Sequence, residues 1–136
     1  MLRFAFFFLL LVCSCQIFES NEINVISDAQ FIEIQDTDYI LVDVRTIEEY
    51  ESGHIQDAVN FDFYSESFQK EILSFDKNSS IILYCRTQNR STKTANYLKE
   101  NGYKEITVLA GGITSWVKNG NDLVYNFTED INSTEE

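Results

Sequence analysis

Two continuous apolar runs stand out along the chain, at residues 39–44 and 80–84. Apolar runs of this length without polar alternation are expected of strands that are covered on both faces. Shorter apolar stretches at residues 24–26, 58–61 and 106–109 predict further strands. The strands are separated by polar segments that carry a different periodicity.

Those intervening segments have the caps and spacing of helices. Ser27 with Gln30 and Thr46 with Glu49 are capping-box pairs, and they predict helices that run through residue 34 and to about residue 53. Three further helices are predicted over residues 65–74, 89–100 and 113–118. Strands that alternate with helices through short connections predict an α/β fold, an open and mostly parallel sheet with helices on both faces.

Cys85 lies where such a fold places its ligands. It follows the strand at residues 80–84 and precedes a helix, and ligands of parallel sheets bind outside the carboxyl ends of the strands. Backbone N–H groups in a tight loop before a helix favour an anion, so they should stabilise a Cys85 thiolate. Arg86, Arg90 and Lys93 add positive charges within eight residues of the cysteine. The segment therefore predicts a reactive thiol in an anion site.

The first fifteen residues have the pattern of an export signal. Arg3 is followed by an apolar run at residues 4–12 and then by Cys13, Ser14 and Cys15. The end of this run resembles a bacterial lipoprotein box, which makes residues 1–14 a signal peptide and Cys15 the lipidated residue. We expect an exported protein of the bacterial cell envelope that is held at a membrane by this lipid. The alternative is a cleaved signal and a soluble periplasmic or secreted protein.

Composition narrows the remaining choices. The 136 residues suffice for one domain, predicted at residues 27–122, with a tether at 15–26 and an acidic disordered tail at 123–136. The net charge of -12 disfavours a nucleic-acid partner. Cys85 is the only cysteine after the signal segment, so an internal disulfide is excluded, and one histidine with one thiol is too little for a metal site. We expect a monomer without metal or cofactor.

Several motifs together resemble the single-domain rhodanese family. They are residues 41–45, residues 51–55 with Ala58 and Asn60, residues 84–91, and Gly111 and Gly112 with Trp116. The resemblance covers about residues 27–122 and implies a five-stranded α/β domain whose active-site cysteine, Cys85, forms a persulfide. It implies a sulfurtransferase that moves sulfur from a small anionic donor such as thiosulfate to an external thiol or cyanide.

The resemblance also maps the active loop onto residues 85–90. Backbone N–H groups from Arg86, Thr87, Gln88, Asn89 and Arg90 are expected to cradle the added sulfur. Arg86 is the candidate for attracting the donor. Arg90 is expected to hold the shape of the loop, with Asp43 as its suggested partner.

Other residues of the expected carboxyl edge are assigned supporting roles. Asp43 and Arg45 follow a strand and contribute either to function or to an ion pair that braces the loop. His54, the only histidine, is expected to serve in capping or packing, because no partner for a catalytic base is evident.

Two rival functions remain open. A Cys-dependent phosphatase or arsenate reductase shares the order of strand, cysteine, loop, arginine and helix. It has one residue more between the cysteine and the arginine than the four present here, so the tighter loop favours a single sulfur atom. A non-catalytic rhodanese-like binding module is the other rival, although such modules often lack the cysteine that this chain retains.

Overall fold

The structure is a computed structural model that describes residues 22–125. The predicted signal at 1–14, Cys15, and residues 126–136 of the predicted tail lie outside the described residues. Within the described part, no helix is long and apolar enough to cross a membrane.

A single parallel sheet organises the domain. Its strands are β1 Asn24–Ile26, β2 Ile40–Asp43, β3 Val59–Asn60, β4 Ser80–Tyr84 and β5 Glu105–Leu109. The helices are α1 Asp28–Glu33, α2 Ile47–Glu51, α3 Phe68–Ile72, α4 Asn89–Glu100 and α5 Gly112–Lys118. The strand order is β1-β5-β4-β2-β3, and every pair of neighbouring strands is parallel. The predicted α/β sheet is confirmed.

The apolar strands bury both faces. In β4, Ile81 and Leu83 face the core shared with α3 and α4, whereas Ile82 and Tyr84 face the core shared with α1 and α5. Cys85 continues this alternation and faces the α4 side. The unbroken apolar run therefore reflects two cores, one on each face of the sheet.

Local signals determine where two helices begin. Both capping boxes form: the Ser27 hydroxyl accepts from the Gln30 amide and the Thr46 hydroxyl accepts from the Glu49 amide, while each N3 side chain reaches back to the cap. The predicted helix over residues 65–74 is wrong in extent. Serine hydroxyls bond locally in the segment before Phe68, with Ser65 Oγ accepting from the Ser67 amide, so α3 contains only five residues.

The domain also extends beyond the predicted bounds of 27–122. Residues 24–26, assigned to the tether, form the edge strand β1, which pairs with β5 from Thr107 to Leu109. At the other end, Val124 exchanges backbone hydrogen bonds with His54 at 2.8 and 2.9 Å. The strand at residues 24–26 was predicted from the sequence, but its pairing with β5 and that of Val124 with His54 join distant segments, which the local pattern does not reveal.

Candidate active site

Cys85 lies directly after β4, at the carboxyl edge of the sheet. Cys85 is only 1% exposed, and its Sγ lies 3.5 Å from Ser91 Oγ in the first turn of α4. The Ser91 hydroxyl donates to the Gln88 carbonyl at 2.9 Å. The thiol therefore faces the N-terminus of the helix from beneath the loop, as the sequence predicted.

The loop leaves a set of backbone donors available. Among the hydrogen bonds of residues 22–125, none uses the backbone N–H groups of residues 86–91, and Gln88, the N-cap of α4, makes no side-chain capping bond. The first turn of α4 contains no acidic residue. Unsatisfied N–H groups and the positive end of a twelve-residue helix thus lie on the same side of the sheet as the sulfur, and such groups favour a negative charge.

The segment that opens α5 holds the start of the active loop in place. The Cys85 carbonyl accepts from the Ile113 amide at 2.9 Å, and the Arg86 carbonyl accepts from both the amide and the hydroxyl of Thr114. Gln88 adds a further contact, because its side-chain oxygen accepts from the Gly111 amide at 3.2 Å. The carbonyls of Cys85 and Arg86 thus point towards α5, and the N–H groups of residues 86–91 are left without a partner in the described chain.

Gly112 permits this close contact between α5 and the loop. A Cβ at that position would lie 2.3 Å from the Cys85 carbonyl oxygen and 3.0 Å from the Arg86 carbonyl. Its φ of +57° is also a conformation that favours glycine. The sequence predicted only a turn here, yet the close packing of this residue on the Cys85 backbone requires a glycine.

Arg90 pairs with a residue other than the predicted one. Its guanidinium donates to both carboxylate oxygens of Glu49, at 2.6 and 2.9 Å, and its Cζ lies 5.7 Å from the centre of the Tyr64 ring. The suggested Arg90–Asp43 pair is wrong, because Asp43 is already occupied by Arg45. The expected role of Arg90 in holding the loop fits the observed contact, which joins the loop to α2.

Asp43 and Arg45 form a buried ion pair beneath the loop. Arg45 Nη2 lies 2.6 Å from Asp43 Oδ2, and the same nitrogen donates to the Gly53 carbonyl at 2.8 Å. The Arg45 guanidinium lies over the ring of Tyr84, the residue before Cys85, at 5.8 Å. Of the two predicted roles, the geometry fits the brace rather than contact with a substrate.

These ion pairs, together with burial, shift the pKa values of several side chains. Hydrogen bonding to Arg90 lowers the pKa of Glu49 to about 2, with smaller help from the Thr46 amide. Reciprocally, Glu49 raises the pKa of Arg90, to which the nearby Cys85 adds a smaller electrostatic contribution. Burial, followed by the Asp43 charge, raises the pKa of Tyr84, whose hydroxyl accepts from the Ile55 amide. The loop arginine and its partner are therefore both charged at neutral pH.

His54 lies away from the sulfur in a packing role. It is buried, its ring stacks on Tyr50 at 3.8 Å, and Nδ1 lies 3.1 Å from the Tyr50 carbonyl. This arrangement agrees with the predicted capping or packing role of His54. Among the described residues, no group of three or more His, Cys, Asp or Glu side chains comes together to hold a metal ion.

The outer rim of the site carries unpaired positive charge. Arg86 and Lys93 are exposed, and neither forms an ion pair within residues 22–125. Thr87 and Asn89 are also exposed, between the buried cysteine and α4. The exposed part of the predicted loop therefore includes Arg86, Thr87 and Asn89, and Arg86 carries a positive charge there.

Three contributors were not assigned to the site from the sequence: Glu49, Ser91 and Gly112. Glu49 was assigned only to a capping box. Its contact with Arg90 of the loop is visible only in the folded structure. Ser91 and Gly112 both belong to motifs that resemble rhodaneses. Those motifs did not indicate that either residue contacts Cys85.

Proteins of known function are similar to this chain in sequence. A tRNA uridine(34) hydroxylase of Wigglesworthia glossinidia brevipalpis is 32% identical over 104 residues, which cover 72% of this chain and 30% of that protein. The chain spans about a quarter to a third of the length of the curated relatives that it matches.

Solved structures of similar size share the fold. A rhodanese-related protein of Thermoplasma volcanium has a TM-score of 0.67 and 25% identity, covering 74% of this chain and 97% of that one. A rhodanese-like domain protein of Staphylococcus aureus has a TM-score of 0.67 and 26% identity, with 77% and 100% covered. The Rhodanese-like domain family itself matches residues 28–119. With a cysteine, a loop and a helix in the expected places, the chain belongs to the rhodanese-like domain family.

Proposed function

We propose that this domain is a sulfurtransferase that carries sulfane sulfur as a persulfide on Cys85. The observation that carries the proposal is the buried thiol beneath a loop whose N–H groups, residues 86–91, make no other hydrogen bond in the described chain. Such donors stabilise a charged outer sulfur in the way that an oxyanion hole stabilises oxygen. Small polarisable anions are the ligands that this opening suits.

The proposed reaction has two balanced steps. The Cys85 thiolate attacks the outer sulfur of thiosulfate, the bond between the two donor sulfurs breaks, and sulfite leaves with the bonding electron pair. An acceptor thiolate or cyanide then attacks the outer sulfur of the persulfide, and the electron pair of the broken S–S bond returns to Cys85. Arg86, exposed beside the opening, attracts the dianionic donor.

The engagement of Arg90 disfavours the phosphatase and arsenate reductase alternative. An arginine that binds a phosphoryl group needs its fork free to contact the oxygens of the substrate. Here both terminal nitrogens of Arg90 are bonded to Glu49. The retained thiol and open loop likewise favour catalysis over a non-catalytic binding module.

The name of the longer relatives suggests a different chemistry on tRNA, which we do not propose for this chain. A surface with a net charge of -12 repels a polyanion. The shared region is also only 30% of such a relative, so most of that protein has no counterpart in the match.

The test of the proposed function is to incubate the purified protein with thiosulfate, remove the donor, and measure the intact mass. One added sulfur atom is expected on the wild type and none on Cys85→Ser. Lys118→Gln, a change of an exposed lysine on α5, serves as the control that keeps the thiol and its surroundings. Loading of Cys85→Ser to the wild-type level, or thiocyanate formation by that variant, would contradict the proposal.

We further propose that the chain is exported and anchored to a membrane by a lipid on Cys15. The support is the pattern of residues 1–15, with Arg3 before an apolar run and Ser14 before the cysteine. Expression in a bacterial host followed by membrane fractionation tests this. Cys15→Ala should move the protein to the soluble fraction, whereas Cys13→Ala should not.

A further inference from the structure

A groove of about 600 Å³ lies between the segment of residues 63–69 and α4, the helix that follows the active loop. Aromatic side chains form its walls: Phe63, Phe68 and Tyr97. Its volume lies within the range of about 300–1,000 Å³ that is typical of small-molecule sites. Apolar walls with a few polar groups at the edge are also the usual composition of such sites.

The groove runs along one face of α4, the helix that begins at the active loop. Arg90, Thr94 and Tyr97 have the spacing of a single helix face, and the last two line the groove. Arg90 lies against Tyr64, whose neighbour Phe63 forms the opposite wall. Phe63 and Phe68 also pack in the same apolar cluster as Cys85. The groove therefore borders the part of α4 that follows the active loop, next to the apolar cluster that contains Cys85.

Among the described residues, Lys93 is the only positively charged one that lines this groove. It is exposed, and in the part of the chain that the structure describes it forms no ion pair, not even with Glu66 at the same rim. A free ammonium on a protein with a net charge of -12 is a local site for an anionic group. The nearby Gln69 is neutral and does not compete for it.

We propose that the groove binds the organic body of the sulfur acceptor, and that this acceptor is a thiol with an apolar chain ending in a carboxylate. The inference rests on the proposed sulfurtransferase function. The chain lies against Phe63, Phe68 and Tyr97, and the carboxylate pairs with Lys93. The acceptor thiolate then attacks the outer sulfur of the Cys85 persulfide, so that one S–S bond forms on the acceptor while the bond to Cys85 breaks and leaves the Cys85 thiolate.

The experiment compares two acceptors that differ only at the far end. Protein loaded with thiosulfate and freed of donor is mixed with 6-mercaptohexanoate or with 6-mercaptohexanol, and loss of the extra sulfur is followed by intact mass. The remote carboxylate leaves the reactivity of the thiol almost unchanged, so a difference in rate reports binding. We expect the carboxylate to react about two- to fivefold faster at subsaturating concentration, as one solvent-exposed ion pair allows.

Variants separate the two parts of the site. Lys93→Gln should abolish the preference for the carboxylate, whereas Lys118→Gln, a change of an exposed lysine on α5, should preserve it. Gln69→Trp, which fills the groove, should slow both six-carbon thiols and leave the reaction with cyanide unchanged.

Each outcome has a distinct meaning. Equal rates for the two thiols in the wild type overturn the role of Lys93, and unchanged rates in Gln69→Trp overturn the groove. Discharge by a reduced dithiol protein, with neither six-carbon thiol faster than background, overturns the small-molecule acceptor. If thiosulfate leaves no sulfur on Cys85 at all, it is the proposed function that fails.

Discussion

Glu49 links the start of α2 to the active loop through one carboxylate. Its Oε2 accepts from the Thr46 amide at 3.0 Å, which closes the capping box, and from Arg90 Nη1 at 2.6 Å. Its Oε1 accepts from Arg90 Nη2 at 2.9 Å. The side chain of Glu49 is 30% exposed and that of Arg90 is 12% exposed, so solvent screens the pair only in part. The position of the loop therefore depends on a residue that lies 41 positions earlier in the chain.

Glu49→Gln should separate the two roles of this carboxylate. Glutamine can still close the capping box, but it removes the charge that Arg90 needs. We expect sulfur transfer to fall about tenfold, which corresponds to about 1.4 kcal/mol in the barrier, with α2 intact. Thiosulfate-to-cyanide kinetics and circular dichroism measure the two effects, and Glu48→Gln in the same turn of α2 is the control. An unaltered rate in Glu49→Gln would mean that the loop keeps its shape without the pair.

Acid should weaken the same interaction. The pKa of Glu49 is lowered from 4.5 to about 2 in the folded protein, so its pairing contributes stability that is fully present above about pH 4.5 and is lost as the pH falls through about 2. The difference in free energy of unfolding between the wild type and Glu49→Gln should shrink over this window, as measured by urea titration. In an Arg90→Gln background the difference should show much less pH dependence. A difference that grew towards low pH would have the wrong sign.

Gly112→Ala should destabilise the domain and displace Cys85. Its Cβ would meet the Cys85 carbonyl oxygen at 2.3 Å, and φ is positive. The positive φ costs about 1–2 kcal/mol and the clash about 1–3 kcal/mol more. Gly120→Ala is the matched control, because φ there is +82° but nothing lies within 4 Å. Chemical denaturation of both variants measures how much the close contact adds to the loss in free energy of unfolding. Equal losses in the two variants would show that the backbone around Gly112 accommodates the Cβ without a further loss of stability.

Arg86→Gln should weaken donor capture with little effect on the later chemistry. Arg86 is exposed at the opening, and its backbone, held by Thr114, should stay in place when the side chain changes. We expect KM for thiosulfate to rise about threefold to tenfold, with kcat nearly constant, because the lost interaction is made equally in ground and transition states. The effect should diminish at high salt. A selective fall in kcat would instead place the guanidinium at the reacting sulfur.

Local patterns in the sequence were sufficient for much of the architecture. The two capping boxes, the long apolar runs of β2 and β4 and the place of Cys85 between β4 and α4 depend on neighbours within a few residues. A tight loop before a helix presents N–H groups whatever packs around it, so the unbonded N–H groups of the loop after Cys85 could also be predicted.

The contacts that shape the site were decided by the tertiary structure. Asp43 and Arg90 were plausible partners by charge alone. In the structure, however, Asp43 pairs with Arg45, two residues later in the chain, and Arg90 pairs with Glu49. The contact of Gly112 with the Cys85 carbonyl and the pairing of residues 24–26 with β5 likewise join distant segments. The sequence alone determined which chemical groups stand near the end of β4. Which of them meet was determined by packing, because charge and hydrogen-bonding capacity specify what a residue can pair with and only the folded chain specifies what lies within reach.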